Sequence, residues 1–328
     1  MSKYNFSSVY AKHITDLVSI KRQLGYKYIT EEFVLYQFDR YTVEHKFTCT
    51  SITPEVAEGW MMKRPNESDA TRCSRISALI QLASYMCDIK VSDYIPRMPR
   101  IPKSDFVPYI YSQDEMQAIF KACDRLTLPG LQYNSVIIML PALIRMLYAT
   151  GIRISEALHL LDADVHLDEN YLVIRDSKNR TQRMVPISRS LSVVCRQYVF
   201  YRDKLPLKID REYFFLSLSG RRCNSHGTIR RWFRWILKGA AIPFIGKHHG
   251  PRVHDLRHTF SICAMEKMTR QGADMYHSMP ILSTYLGHKA PQSTEQYVRL
   301  CQMMFPELEK KVELINQFIF PEPEDENN

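Results

Sequence analysis

The segment between residues 91 and 108 limits the possible folds of this chain more than any other feature, because it cannot form a regular helix or a central strand. It contains prolines at positions 96, 99, 102 and 108, with Arg97, Arg100 and Lys103 among them. Proline lacks a backbone N–H and breaks helices, whereas a proline-spaced chain forms a semi-rigid spacer. We therefore expect a proline-rich basic linker at 93–108 between two domains, at 1–92 and 109–320.

The region before the linker is predicted to be entirely helical. Apolar residues recur there at steps of three and four, and turn residues separate the runs. Helices are expected to start near Tyr10, after Thr30, at Thr53 and near Ser68. Gly25 is a natural end for the first of them, and Thr53 with the following proline and glutamate is typical of a helix start. The prediction for 1–92 is a small helical bundle.

The region after the linker is predicted to be α+β, mainly helical with a small antiparallel sheet. Ser112 and Glu115 have the spacing of a capping box, and a long apolar helix is expected at about 134–150. Runs at 171–175 and 183–187 flank a polar turn, which indicates a β-hairpin. A further strand is expected near 213–216, helices resume from about Ser190, and the acidic residues 321–328 are predicted to form a disordered tail.

The composition weakly favours a polyanionic partner such as nucleic acid. Lysine and arginine number 44 against 35 aspartates and glutamates, a net charge of +9, and basic domains are common among nucleic-acid-binding proteins. No stretch of about 20 apolar residues could span a bilayer and no segment resembles a signal peptide, so we expect a cytoplasmic protein without a membrane partner. Eight scattered cysteines without a Cys-x-x-Cys pair indicate reduced thiols rather than a zinc site or disulfides.

Two basic residues in the first half of the second domain could act on a phosphate. Arg153 follows Gly151 at a helix junction, where its guanidinium could meet an anion beside a helix start. The alternative is a surface arginine paired with Glu156. Lys178 lies in the turn of the predicted hairpin, an exposed position from which it could deliver a charge or a proton, although most lysines in such turns are only solvated.

The later part of the chain holds histidines, an arginine and a tyrosine at informative spacings. His254 and Arg257 would share one face of a helix, which suits the binding and protonation of a phosphate; an ordinary helix N-terminus is the alternative. His258 leaves that face and is predicted to be structural. His288 follows a glycine at a helix end, nine residues before Tyr297. A tyrosine hydroxyl, with an ordinary pKa of about 10, becomes a useful nucleophile only beside a base or strong positive charge.

Together these segments resemble the tyrosine recombinase family, the phage-integrase-type recombinases. The resemblance rests on Ala-Thr-Gly-Ile-Arg-Ile-Ser-Glu at 149–156, Ser-Lys-Asn-Arg-Thr-Gln-Arg-Met-Val-Pro-Ile at 177–187, His-Asp-Leu-Arg-His-Thr-Phe at 254–260, and Leu-Gly-His at 286–288 with Tyr297. The motifs follow the family's order and spacing over about 109–300, and the preceding bundle resembles its SAM-like core-binding domain. One departure is the stretch 267–280, which is longer than in compact members and puts the local packing in question.

The resemblance implies a site-specific DNA recombinase that needs no metal, ATP or other cofactor. Tyr297 would attack a DNA phosphate, form a 3′-phosphotyrosyl link and release a 5′-hydroxyl. The implied catalytic residues are Arg153, Lys178, His254, Arg257, His288 and Tyr297. Both arginines would hold phosphate oxygens, and Lys178 would be the general acid for the 5′-oxygen, with Arg180 and Arg183 as nearby alternatives. His254 would assist proton transfer at the nucleophile, and His288 would hydrogen-bond the phosphate.

The resemblance also implies that the two domains clamp double-stranded DNA, in a homo-tetrameric synapse or together with a related recombinase. Basic clusters are the candidate DNA contacts, with a solvated basic surface as the equally weighted alternative. They comprise Arg72, Arg75, Arg97, Arg100, Arg221, Arg222, Arg230, Arg231 and Arg234. The amphipathic segment 305–318 is expected either to pack on its own domain or to dock on a neighbouring protomer.

Several uses of the same chemistry remain open at this point. Integration or excision of a mobile element is the first expectation, and chromosome-dimer resolution or DNA inversion is the alternative. A type IB topoisomerase-like activity, which rejoins the same strand, is disfavoured by the helical bundle and the interaction segment. A catalytically silent DNA-binding accessory protein is disfavoured because all six positions are occupied.

Overall fold

The computed structural model describes residues 3–100, 107–128, 130, 132, 134–175, 182–205, 212–223, 225–246, 250–288 and 292–305. Lys178 and Arg180 lie outside these ranges, as do the linker residues 101–106, most of the segment 305–318 and the tail 321–328. The chain divides into two compact units, Met1–Asp105 and Phe106–Asn328. No helix in the described ranges has both the length and the hydropathy that crossing a bilayer requires.

The described part of the first unit is helical. Its helices are α1 (Ala11–Gln23), α2 (Ile29–Glu44), α3 (Pro54–Met61) and α4 (Asp69–Asp88). The side chains of Thr53 and Ser68 accept hydrogen bonds from the first turns of α3 and α4, as N-caps do. The helices pack their apolar faces around Phe38 and Trp60, whose rings meet edge to face. This part of the fold follows directly from the apolar spacing and the caps.

Arg75 on α4 corrects one expectation for this unit. It was predicted to face DNA, but it is only 2% exposed, and its Nε and Nη2 atoms donate to the two carboxylate oxygens of Glu67 at 2.9 and 2.8 Å. Its guanidinium also lies over the ring of Trp60. A buried cation needs such partners, so Arg75 is a structural residue, whereas Arg72 is half-buried, and Arg97 and Arg100 are exposed.

The second unit carries the remaining α-helices of the described chain, together with 3-10 helices at Ile137–Met139 and Asp162–Asp164. The α-helices are α5 (Gln113–Asp124), α6 (Leu140–Thr150), α7 (Ile154–Leu158), α8 (Arg189–Arg202), α9 (His226–Gly239), α10 (Asp255–Arg270), α11 (Met275–Leu286) and α12 (Gln292–Met304). The capping box of Ser112 and Glu115 at α5 is confirmed. The long helix expected at 134–150 is shorter, because α6 begins with Pro141 in its first turn, where the missing N–H costs nothing.

A small antiparallel sheet lies beside these helices. Its strands are β1 (Val165–His166), β2 (Tyr171–Ile174) and β3 (Arg183–Pro186), in the order β1-β2-β3. Leu172 and Val185 pair across β2 and β3, and both are fully buried. The two hairpin strands were predicted and β1 was not. The prediction of a strand near 213–216 was wrong. In that segment, Tyr213 and Leu216 form only isolated bridges, to Leu161 and to Arg222.

Helix α10 is the centre of the second unit. It contacts α6 on one side and α11 and α12 on others. Leu256 is buried with the α6 cluster, whereas Ile262 and Met265 pack into a second cluster together with Tyr297 of α12. Polar side chains at the beginning of α10 are therefore brought next to the ends of α6 and α11. The predominantly helical fold with a small antiparallel sheet agrees with the prediction.

Candidate active site

Arg257 joins three separate parts of the second unit. Its Nη1 donates to the Gly151 carbonyl at 2.6 Å, and its Nη2 donates to the Leu286 carbonyl at 2.8 Å and to Nε2 of His288 at 2.9 Å. The side chain is almost fully buried. Burial, followed by the charge of Arg153, lowers the pKa of Arg257 to about 10, so the guanidinium stays charged at neutral pH.

Gly151 is required at the end of α6 because of its backbone conformation. It has a φ of 61° and caps the helix in the left-handed region, which favours glycine. A Cβ atom at this position would also overlap the ring of Phe260. The hydrogen bond from Arg257 to the Gly151 carbonyl therefore depends on a turn that only glycine forms without strain.

Glu156 fixes the second arginine of the site. Its carboxylate accepts from the backbone N–H of Arg153 at 2.9 Å and from Arg153 Nη1 at 3.0 Å. It also pairs with Nη2 of Arg183 at 2.8 Å. Burial alone would raise the pKa of Glu156, but the hydrogen bonds and charges of Arg183 and Arg153 outweigh it and lower the pKa. A buried carboxylate thus orients Arg153, whose own side chain remains 19% exposed.

His288 is held in one tautomer by its two neighbours. Because Arg257 donates to Nε2, the ring proton of the neutral imidazole sits on Nδ1 and donates to Oγ1 of Thr294 at 2.8 Å. Burial, followed by the charges of Arg257 and Arg153, lowers the pKa of His288 to about 4. His288 is therefore neutral at neutral pH and braces the Arg257 guanidinium.

The side chain of Tyr297, on α12, lies beside His288 and Arg257. Its side chain is buried, and its hydroxyl lies 3.0 Å from Nδ1 of His258. Burial raises the pKa of Tyr297, and this shift is opposed first by the Arg257 charge. The structure thus brings Tyr297 together with Arg153, Arg257 and His288.

The contact between His258 and Tyr297 is the feature that sequence reasoning missed. His258 was predicted to be structural because it leaves the face shared by His254 and Arg257. In the structure that second face of α10 meets α12, so the buried His258 ring reaches the Tyr297 hydroxyl. The single available signal was its position next to Arg257 on a helix, and helical spacing alone does not reveal which face receives α12.

His254 lies at the N-terminal end of α10, outside this buried group. It is exposed, and its ring meets the ring of His258 at right angles, with 4.9 Å between centroids. Partial desolvation, together with His258 and Arg257, lowers its pKa. His254 therefore contacts the histidine that adjoins Tyr297, while the hydroxyl itself has His258 as its histidine partner.

A basic cleft opens beside His254. Arg230 and Arg234, one turn apart on α9, line it together with Arg252, and Phe244 forms part of its wall. The Arg234 guanidinium lies over the Phe244 ring at 4.6 Å. Of the other predicted DNA contacts, Arg221 and Arg231 are exposed. Arg222 instead stacks on Tyr213 and donates to His159 within its own unit.

Comparison with known proteins places this chain in a family. Residues 110–303 match the Phage integrase family, so the chain belongs to this family of tyrosine-type site-specific recombinases. The integrase/recombinase-type protein y4rB of Sinorhizobium fredii is 27% identical over 310 residues, which cover 93% of this chain and 98% of that protein. The family assignment agrees with the resemblance found in the sequence.

Solved structures show the same fold at low sequence identity. The Tn1549 transposon integrase in complex with transposon right end DNA matches with a TM-score of 0.66 at 15% identity, over 89% of this chain and 94% of that one. A lambda integrase tetramer bound to a Holliday junction matches with a TM-score of 0.57 at 16% identity, over 89% and 78%. The mainly helical architecture with its small sheet is thus the fold of these recombinases.

Proposed function

We propose that this chain cleaves and rejoins DNA at specific sites with Tyr297 as the nucleophile. The observation that carries the proposal is the buried group around the Tyr297 hydroxyl, with His258 at 3.0 Å and the Arg257 charge beside it. A tyrosine held between a neutral histidine and a fixed guanidinium has both requirements for attack on a phosphodiester, a proton acceptor and stabilisation of the phenolate.

Cleavage would proceed by in-line displacement at one DNA phosphate. The Tyr297 oxygen forms a bond to phosphorus as the bond to the 5′-oxygen breaks, which leaves a 3′-phosphotyrosyl link and a 5′-hydroxyl. The link conserves the energy of the phosphodiester, so neither ATP nor a metal ion is needed to rejoin the strand. Strand exchange follows when the 5′-hydroxyl of another duplex attacks the phosphotyrosine.

Arg153 and Arg257 would bind the non-bridging oxygens of that phosphate. Each guanidinium is already oriented, Arg153 by Glu156 and Arg257 by two carbonyls. Preorganised donors of this kind stabilise the charge that develops in the transition state, and the loss of one typically costs about 10² to 10³ in rate. His288 would complete this group as a brace for Arg257. The phosphate contact that the resemblance gives it would require the Nδ1 proton that goes to Thr294 in this structure.

Two proton-transfer roles come from the resemblance to the family. Lys178, outside the described residues, is proposed as the general acid for the 5′-oxygen, because the hairpin β2–β3 carries it in a motif of the family. The resemblance gives His254, at the N-terminal end of α10 next to the basic cleft, a role in proton transfer at the nucleophile. Neither role rests on a contact in the structure.

Double-stranded DNA and a second copy of the chain are the proposed partners. The net charge of +9 and the cleft lined by Arg230 and Arg234 suit phosphate contacts. Because the similar Tn1549 and lambda enzymes were solved on DNA, and the latter as a tetramer, we propose a tetrameric synapse. Integration or excision of a mobile element is the proposed role, and the resolution, inversion and topoisomerase readings are alternatives.

The experiment uses nicked suicide duplexes that tile the DNA flanking the gene of this protein. In EDTA, the wild-type chain is expected to form a covalent protein–DNA adduct on one of them, and Tyr297→Phe is expected to form none. The matched control is Tyr285→Phe, which removes the hydroxyl of a partly buried tyrosine on α11. This variant should form the adduct at the wild-type rate. An adduct with Tyr297→Phe would show that the nucleophile is misassigned. Binding to a site without an adduct in any variant would favour the accessory-protein reading.

A further inference from the structure

The hydroxyl of Tyr297 has a histidine partner outside the six residues implied by the family resemblance. His258 is 6% exposed and Tyr297 is 1% exposed, so water has little access to the contact between them. Their 3.0 Å separation is that of a hydrogen bond in which one group gives its proton to the other. In the described residues this contact joins two helices, α10 and α12, at the place where the nucleophile must lose its proton.

We propose that His258 is the general base of the reaction: its Nδ1 accepts the Tyr297 proton during cleavage and returns it during rejoining. The inference rests on the proposed function, because it assigns a role to the neighbour of the proposed nucleophile. His258 touches the reacting oxygen, which makes it a catalytic residue rather than one that acts through another.

The surroundings of His258 keep its lone pair available. Burial, followed by the charges of Arg252 and Arg257, lowers its pKa to about 4, so the imidazole is neutral at neutral pH. The exposed His254 is the other histidine against it. With Nδ1 facing a phenol, the tautomer that can accept the proton carries its own hydrogen on Nε2.

Bound DNA would change the same electrostatics in the direction that the reaction needs. The scissile phosphate would bring negative charge to Arg153 and Arg257, and Arg257 is one of the cations that lower the pKa of His258. A neighbouring anion stabilises a protonated imidazole, so DNA is expected to raise the basicity of His258. The Tyr297 proton then moves to Nδ1 as the oxygen–phosphorus bond forms. The bond to the 5′-oxygen breaks, and the general acid protonates that oxygen.

His254 is the rival for this role, and the geometry disfavours it. Its ring meets His258 at right angles and lies at the N-terminal end of α10, next to the basic cleft. In the described residues, the histidine that contacts the Tyr297 hydroxyl is His258 and not His254. His258 therefore takes the proton-transfer role at the nucleophile that sequence reasoning gave to His254.

The kinetic test uses the full chain and the reactive suicide duplex. His258→Asn keeps an amide near the Nδ1 position, so it can hold a hydrogen bond to the tyrosine but cannot take a proton. We expect adduct formation to slow by about 10² to 10⁴, the usual contribution of a general base, with DNA binding and thermal unfolding unchanged. His277→Asn, which replaces a histidine that is 92% exposed, is the matched control and should react at the wild-type rate.

A duplex with sulfur in place of the bridging 5′-oxygen distinguishes a defect in the general base from a defect in the general acid. Its thiolate leaves without a proton, so Lys178→Ala should recover on this substrate. His258→Asn should remain slow, because it fails at the nucleophile. A wild-type rate for His258→Asn would overturn the inference while leaving the proposed function intact. An adduct formed by Tyr297→Phe would instead overturn the proposed function.

A second measurement needs no active DNA site. With ¹⁵N-labelled histidine, His258 is expected to be neutral at pH 7, with its proton on Nε2, and its Nδ1 signal should shift in Tyr297→Phe. The His258→Asn variant assigns the signal. A proton found on Nδ1 would mean that His258 donates to the tyrosine oxygen, and it could then not be the base.

Discussion

Glu156 and Arg183 form a buried ion pair, with 2.8 Å between Oε2 of the carboxylate and Nη2 of the guanidinium. The pair connects α7 to β3, and the same carboxylate holds Arg153. Arg183 also donates from Nε to the carbonyl of Tyr285 in α11. One acidic side chain therefore determines where an arginine of the proposed active site points, and one basic side chain ties the hairpin to the helix that precedes His288.

Removal of the Glu156 carboxylate should strongly destabilise the second unit. Glu156→Ala leaves Arg153 and Arg183 without their common partner, and the breakage of a buried pair typically costs about 3 to 5 kcal/mol. We expect a loss of this size in the free energy of unfolding, measured with urea. The control is Asp168→Ala, which removes an exposed pair with Arg196 and should cost less than about 1 kcal/mol. Equal losses in the two variants would contradict a structural role for Glu156.

The contribution of the Glu156 charge to the free energy of unfolding should disappear in acid. The folded-state pKa of Glu156 lies below its ordinary value, so the stabilisation is fully present above the unfolded-state pKa of about 4.3. It is lost as the pH falls through the folded-state pKa. The difference in unfolding free energy between the wild type and Glu156→Gln should therefore shrink as the pH falls from about 6 to about 3. A difference that stays constant over this range would show that the carboxylate is not the linked group.

Local features of the fold could be predicted from the sequence because their causes are local. The box of Ser112 and Glu115 satisfies the N–H groups of its own helix, and Gly151 ends α6 through its own φ angle. The hairpin strands show their alternation directly, with Leu172 and Val185 turned inward. Local signals were thus sufficient for these helix ends and for the hairpin.

Features that depend on long-range contacts could not be predicted in this way. Arg75 is buried because Glu67 and the Trp60 ring surround it, and its sequence position resembles any basic residue near a helix start. His258 reaches Tyr297 because α12 packs against α10. The family motifs pointed to Tyr297, but the partner of its hydroxyl depends on the packing of two helices.

An alanine at the end of α6 should damage the site through the backbone. Gly151→Ala forces a side chain into the left-handed region, at about 1 to 2 kcal/mol, and into the Phe260 ring. We expect lower stability and much slower adduct formation, because the Gly151 carbonyl holds Arg257. Gly272→Ala is the control, since Gly272 also has a positive φ but has no atom within 4 Å of an added Cβ. It should lose some stability and keep its cleavage rate; equal loss of cleavage in both would contradict the role of Gly151.

The basic cleft should reveal itself in the salt dependence of DNA binding. Arg230 is exposed on α9 and lines the cleft next to His254, so Arg230→Ala should weaken binding to every duplex. The slope of log affinity against log salt concentration should fall by about 1, as expected for one lost phosphate contact. Arg196→Ala removes the same charge from an arginine paired with Asp168 on the surface and should leave the slope unchanged. Fluorescence anisotropy over a salt series measures both, and identical slopes for wild type and Arg230→Ala would exclude Arg230 from the DNA interface.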